Sequence, residues 1–324
     1  MMLLAALPAR AEEPGPWKMV MDKNGIKAYQ RSIPGTNIHE IRAVTVVEAQ
    51  LETVGEVLRD VPANEEWLPW CEVARVITMR DRNDMDVYVV LDLPWPVSNR
   101  DMVLCSKATY DIPHARAIVD LKTITHPRKP VVKGTVRITD FSGVYVIEYV
   151  SRNRTGLIYT YRVDLGGRIP VRILNFLGKY TLYDTFMGLK EMARKKKYIQ
   201  AGLTSQDREL CEGILADADA VHRIFRNRLL EFVGDKEFIE KVAADQDILE
   251  AFFADEQGCM AEILLYGWGS VDSKKKAIRA LLREHLKKQV DDPDKIESIV
   301  KDDAVVEAIL KGTGSAGKLI ASGL

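Results

Sequence analysis

The chain has 324 residues, with 46 Lys+Arg against 47 Asp+Glu and a formal net charge of −1. Apolar residues make up 47% and charged residues 29%, a soluble globular composition that excludes a mainly disordered chain. The near-zero charge argues against a nucleic-acid partner, and beyond the N-terminus no run of about 18 apolar residues marks a membrane-spanning helix.

The length suggests roughly two domains. The charge is unevenly spread. From Thr204 onward there are 17 Lys+Arg and 24 Asp+Glu, which leaves 29 and 23 in residues 1–203. The sign change, from +6 to −7, points to two regions with different partners, or to two regions that face each other.

Residues 1–16 read as a leader. The apolar run Met1–Pro8, the small-residue spacing Ala9-Arg10-Ala11 and then Glu12-Glu13-Pro14 match the end of a truncated export signal that lacks its basic start, with a disordered leader as the alternative. The expected location is periplasmic or secreted if that signal is genuine, and cytoplasmic otherwise. Cys71, Cys105, Cys211 and Cys259 have no metal or redox spacing and read as small core residues.

Strands come first. Trp17–Asp22 and Ile26–Arg31 flank Asn24-Gly25, a hairpin signal, and Pro34-Gly35 leads to a third strand, His39–Val47. Val54–Leu58 has helical character, and Pro62–Pro69 reads as a short helix or turn. Runs rich in Val, Ile, Thr and Tyr follow at 73–79, 87–93, 102–110, 117–125, 135–141, 144–150 and 157–163. Tight turn signals between them, including Ser142-Gly143, predict an antiparallel meander. After Gly166-Gly167-Arg168-Ile169-Pro170, the period of Ile173, Leu174, Leu177, Tyr180, Thr181, Leu182 and Phe186 predicts one helix running to Gly202. Arg194–Lys197 would then complement the helix dipole, or meet a membrane surface.

The element order and three strings resemble the START family, the lipid-transfer domains related to the steroidogenic acute regulatory protein. The strings are Trp17–Arg31 around Gly25-Ile26-Lys27-Ala28-Tyr29, then Leu93-Pro94-Trp95-Pro96-Val97-Ser98-Asn99-Arg100-Asp101, then Gly166–Pro170. The resemblance covers residues 17 to about 200. It implies an α+β helix-grip fold over 17–202, a curved antiparallel sheet around a long C-terminal helix. A cavity between them would hold one lipid, and no cofactor is expected.

Candidate ligand-binding residues follow from strand parity and the resemblance. Arg100, Met102, Leu104 and Ser106 share one strand face directed at the cavity. Arg100 needs a counter-charge there, either a carboxylate such as Glu148 or Glu66, or a lipid phosphate. Phospholipid-transferring members of the family place the matching Arg on the phosphate. Cholesterol-binding members carry a second Arg where this chain has Ser106, which weakens a cholesterol reading. Tyr159 and Tyr161 share a face and could orient a headgroup or sterol hydroxyl. Glu148, on a face with Val144, Val146 and Val150, could pair with Arg137 or Arg100, or reach solvent. Ile173 and Leu177 would line the helix side. Trp95 would touch lipid or membrane, or pack on the last helix.

No metal or nucleophile spacing occurs among the five histidines or elsewhere. Gly312–Gly317 matches a dinucleotide pattern but lacks its strand and helix, and reads as a flexible tail. Residues 203–324 read as helical. Ile239–Phe253 aligns without gaps on Ile296–Leu310, and a fainter copy starts near Leu210. Each unit is an apolar helix, an Asp-rich break and a second apolar helix. The expected function is a lipid carrier or sensor without catalysis, in transient contact with membrane. The alternatives are a helix-grip enzyme of the polyketide cyclase type and an adaptor whose acidic helices bind a protein. Those acidic helices are also expected to fold back on the basic end of the long helix and restrain it.

Overall fold

The computed structural model describes residues 13–36, 38–131, 133–167, 169, 171–253 and 267–313, without the side chains of 171–180, 218 and 251–253. Residues 1–12 of the expected leader, Arg168, Pro170, Cys259 and most of the glycine-rich tail lie outside the described residues, as do the side chains of Ile173 and Leu177.

Ten strands form one sheet: β1 (Lys18–Lys23), β2 (Ile26–Ser32), β3 (His39–Val47), β4 (Cys71–Asp81), β5 (Asp84–Leu91), β6 (Arg100–Asp111), β7 (Arg116–Thr123), β8 (Val136–Arg137), β9 (Asp140–Ser151) and β10 (Arg154–Asp164). Their order is β1-β2-β3-β10-β9-β7-β6-β5-β4, and β8 pairs in parallel with the start of β6. The β1–β2 hairpin turns on Asn24 and Gly25, both at positive φ, as the tight hairpin turn requires. From β3 the chain crosses to the far edge through α1 (Leu51–Arg59) and the short α2 (Asn64–Trp67). It then meanders back until β10 closes on β3.

Two departures from expectation concern this frame. Ser142-Gly143 is not a turn: β9 runs straight through it, pairing Gly143 with Tyr161 on β10. Gly143 is small because the Tyr159 ring lies over it, and a Cβ there would come within 3.1 Å of that ring. The long helix is also broken. α3 (Val171–Ala193) ends before Lys195, which is extended, and α4 (Lys196–Leu203) turns onto α1. The break lets Lys195 reach Glu66 at 2.7 Å and Lys197 reach Asp60. Lys195 and Lys197 are therefore paired with carboxylates of the α1–α2 segment, and the four cations are not arrayed at one helix end.

The helices after 204 are α5 (Gln206–Leu215), α6 (Ala218–Leu230), α7 (Lys236–Ala243), α8 (Gln246–Phe253), α9 (Val271–Leu286), α10 (Pro293–Lys301) and α11 (Asp303–Lys311). The repeat has a structural basis in its caps. Asp235 and Asp292 cap α7 and α10, while Asp245 and Asp302 accept from the first turns of α8 and α11. Ser205 and Asp217 cap α5 and α6 in the same way. The aligned positions Ile239/Ile296, Val242/Ile299, Ala243/Val300, Ile248/Val305 and Leu249/Val306 are all buried in one core.

α6–α11 do fold back, but on the other face of the sheet from the one expected, while α5 packs on the α3 side through Cys211 and Leu215. One face of the sheet packs on α3 through Ala28, Ala43, Tyr145, Ile147 and Leu157 against Leu182, Phe186 and Leu189. The opposite face, with Tyr29, Val44, Val146 and Ile158, is covered by Trp268. Val150 joins the core of α6–α11. No helix among the described residues is long and apolar enough to cross a membrane.

Candidate functional site

The face beneath α3 is concave and almost entirely apolar. Register places Met85, Val87 and Val89 of β5 beside Ser106, Leu104 and Met102 of β6. Ser106 in turn faces Leu121 on β7, and Leu121 faces Gly143 on β9. Met102 and Leu104 are buried in a cluster with Ile138 and Phe141, against which Leu121, Tyr159 and Tyr161 pack. Ser106, Val119, Leu121, Tyr159 and Tyr161 keep part of their surface accessible although they lie beneath α3. Partly accessible side chains on the face toward α3 are the candidate wall of a ligand cavity.

The tyrosines form one stack. The ring centroids of Tyr145 and Tyr159 are 3.9 Å apart at 5°, and those of Tyr159 and Tyr161 are 5.0 Å apart at 23°. Burial pushes the Tyr161 hydroxyl up to about 12 and also raises those of Tyr145 and Tyr159 above the ordinary 10.0. All three therefore stay protonated at neutral pH and can donate hydrogen bonds, but are poor bases. The linkage has a definite sign. Below pH 10.0 both states hold these protons; above it the unfolded chain ionises first, so stability falls as pH rises. Urea midpoints measured across that pH should fall less steeply in Tyr161→Phe. An identical alkaline loss in the variant would refute the burial of this hydroxyl.

Arg100 is inward and 3% exposed. No carboxylate among the described residues lies within ion-pair distance of it. Glu66 is taken by Lys195. Instead Arg100 donates to the carbonyls of Leu165 (3.2 Å), Gly166 (3.1 Å) and Ser98. Gly166 and Gly167 both have positive φ, which turns these carbonyls toward the guanidinium. Arg100 thus fastens the joint between β10 and α3, and burial lowers its pKa.

Glu148 does not join this wall. Its strand parity is that of the opposite face, where it is 2% exposed beside Arg228 of α6. Arg228 Nε lies 3.0 Å from Glu148 Oε1, while its hydrogen points to the His114 carbonyl at 2.8 Å. The remaining guanidinium nitrogens donate to the carbonyls of Tyr149 (2.5 Å) and Ala115 (3.1 Å). Trp268 Nε1 donates to Glu148 Oε2 at 3.2 Å. Neither Arg137 nor Arg100 is its partner: Arg137 pairs with Asp101 at 2.8 Å.

Trp95 does not pack on the last helix; it is 92% exposed in the Pro94–Asn99 loop, beside the buried Leu93 and Val97. A second loop leaves the same end of the sheet, because Val136 N donates to the Asn99 carbonyl at 3.1 Å. That loop carries Val131, 67% exposed, with Arg128, Lys129 and Lys133 around it.

The sequence did not single out Tyr145, Val119 and Leu121 in the wall, nor Arg228 and Trp268 on the other face. Tyr145 had a signal in its parity with Ile147 and Tyr149. Arg228 had none, since its partner lies in another region of the chain.

A curved antiparallel sheet gripping one helix over a partly open apolar interior defines the helix-grip class of binding domains. The START domain profile matches residues 5–197, and the chain belongs to that family. Over 185 residues it is 28% identical to an uncharacterized protein of Pseudomonas aeruginosa, covering 56% of this chain and 88% of that one. It is 23% identical over 166 residues to the phosphatidylcholine transfer protein of Rattus norvegicus, covering 50% of this chain and 77% of that protein. A fragment of a STAR-related lipid transfer protein from Xanthomonas axonopodis superposes with a TM-score of 0.50 at 27% identity, over 56% of this chain and 99% of that one. Human STARD10, at 19% identity and a TM-score of 0.52 over 61% of this chain and 81% of its own, shares the fold. The named relatives among these are lipid-transfer proteins. The match ends at residue 197, so α5–α11 lie outside it.

Proposed function

We propose that the protein carries or senses one lipid between the concave sheet face and α3, without chemistry. The observation that supports this most is the partly accessible wall on the face toward α3, Val119 and Leu121 with the hydroxyl-bearing Ser106, Tyr159 and Tyr161. An interior that side chains do not fill suits a hydrocarbon guest. The described groups facing it favour holding over reacting. The tyrosines remain protonated, and Arg100 directs three of its five N–H groups at backbone carbonyls. The transfer function in the names of relatives agrees with this reading.

The Trp95 end is the membrane-facing end in this proposal. An exposed indole and Val131, flanked by Arg128, Lys129 and Lys133, combine apolar insertion with attraction to anionic lipid. The test is lipid transfer between vesicles. The intact chain should extract about one lipid per molecule. Trp95→Ala should slow transfer roughly tenfold while leaving the melting temperature unchanged, because a side chain this exposed contributes little to folding. Transfer at the wild-type rate by Trp95→Ala would remove the loop from the docking surface; no extraction by the intact chain would remove the carrier reading.

A further inference from the structure

The concave face has a second end, away from Trp95, and α5 lies across it. Along β7 the inward residues run Leu121, Val119, Ala117. The first two line the cavity, and Ala117, the next inward position about 7 Å along the strand, lines a pocket with Leu51 and Tyr149. The far wall of that pocket is α5, through Leu210, Cys211, Ile214 and Leu215. Cys211 and Leu215 pack on the same core as Tyr145 and Phe186, so the underside of α5 belongs to the grip itself.

This pocket has about 20 Å³, room for a methylene-sized group but not a headgroup, and is lined mostly by apolar side chains with Tyr110, Arg116 and Asp207 among them. Ile112, Leu210 and Ile214 line it and also line a groove of about 670 Å³ between α5, α6 and the turn at Ile112-Pro113. That volume is typical of a small-molecule site. The groove floor is Ile112, Pro113, Leu210, Ile214, Ala220 and Ile224. Charge is confined to the rim, where Arg223 and Asp217 pair at 3.4 Å. Ile112 and Leu210 are 39% and 36% exposed there.

The start of α5 is latched above the pocket. Asp207 is 4% exposed, meets Arg59 at 2.7 Å and accepts from the Tyr110 hydroxyl at 2.5 Å, while Arg82 donates to Ser205 at 3.0 Å. The polar contacts thus hold one end of α5, and an apolar pocket lies beneath the rest of it.

We propose that the pocket takes the end of an alkyl chain of the bound lipid, threaded beneath α5 into the α5–α6 groove. This rests on the lipid-carrier reading above. The shared inward face of β7 and the aliphatic groove floor point to hydrocarbon as the occupant; so small a pocket excludes a charged headgroup. The groove therefore sets a preference for chain length.

Gly213 offers a clean test, because a Cβ there meets nothing within 4 Å and it lines the groove. Gly213→Trp fills the groove from a helical position that tolerates a side chain, and Gly213→Ala leaves it open. Leu210→Asp places a charge where pocket and groove meet. The full chain is presented with vesicles of long-chain and of short-chain phosphatidylcholine, and retained lipid is measured. Gly213→Trp and Leu210→Asp should weaken retention of the long-chain lipid roughly tenfold, with the short-chain lipid and Gly213→Ala unchanged. Equal loss for both chain lengths, or no loss for either, overturns the proposal, the latter leaving the groove to a protein partner. If the wild-type chain retains neither lipid, the carrier reading itself fails, and the chain-length proposal with it.

Discussion

Arg228→Leu is expected to lower stability by about 3–5 kcal/mol, the usual range for breaking a buried ion pair from one side. Arg228 is 1% exposed, and three backbone carbonyls as well as Glu148 lose their donor or counter-charge when it is removed. Glu148→Leu leaves the guanidinium still satisfied by those carbonyls but unpaired in charge, so its loss should be large and somewhat smaller. The double variant should be less damaged than the sum of the two, because two apolar side chains avoid the unpaired charge. Urea denaturation of all three variants measures this cycle. Single losses below about 1 kcal/mol would mean that α6 rests on the sheet without being part of its core.

Arg100→Leu is expected to lower stability by roughly 2–3 kcal/mol, the scale for hydrogen bonds to a charged donor whose partners remain buried. The carbonyls of Leu165 and Gly166 lie at the hinge where β10 passes into α3, so the variant should also loosen the helix that covers the cavity. Lipid retention should then weaken equally for a phospholipid and a neutral sterol. Arg100→Lys should not restore it, since one ammonium cannot reproduce a planar fork reaching three carbonyls. A selective loss of phospholipid at unchanged stability would place the guanidinium on a phosphate instead.

The family and the grip were legible because the PWPVSNRD string and the strand meander are local signals. Trp95 and the inward parity of Arg100, Met102 and Leu104 followed from them. Glu148 was harder. Period-two reading works when one sheet face is wet, but here α3 covers one face and α6–α11 the other, so both parities of β9 are apolar. Its carboxylate among valines was the visible sign of a missing partner, and that partner, Arg228, lies 80 positions along the sequence. Ser142-Gly143 misled for a related reason: the glycine serves the Tyr159 ring across the sheet, a tertiary demand with no local signature. The break before Lys195 carries neither Gly nor Pro; it follows from the packing of α4 on α1, where Tyr198 is buried and Gly202 lies against Thr53. The helical repeat was readable because Asp caps act within two or three residues of their helices.

The central claim is that the interior beneath α3 holds one lipid. Native mass spectrometry of the intact chain, after incubation with mixed phospholipid and sterol vesicles and removal of the vesicles, tests it most directly. The account predicts a bound species at one lipid per chain, lost when Leu121→Trp fills the cavity in a protein that still melts cooperatively. A chain that emerges only as the bare polypeptide, or one that binds lipid equally well with the cavity filled, would contradict it.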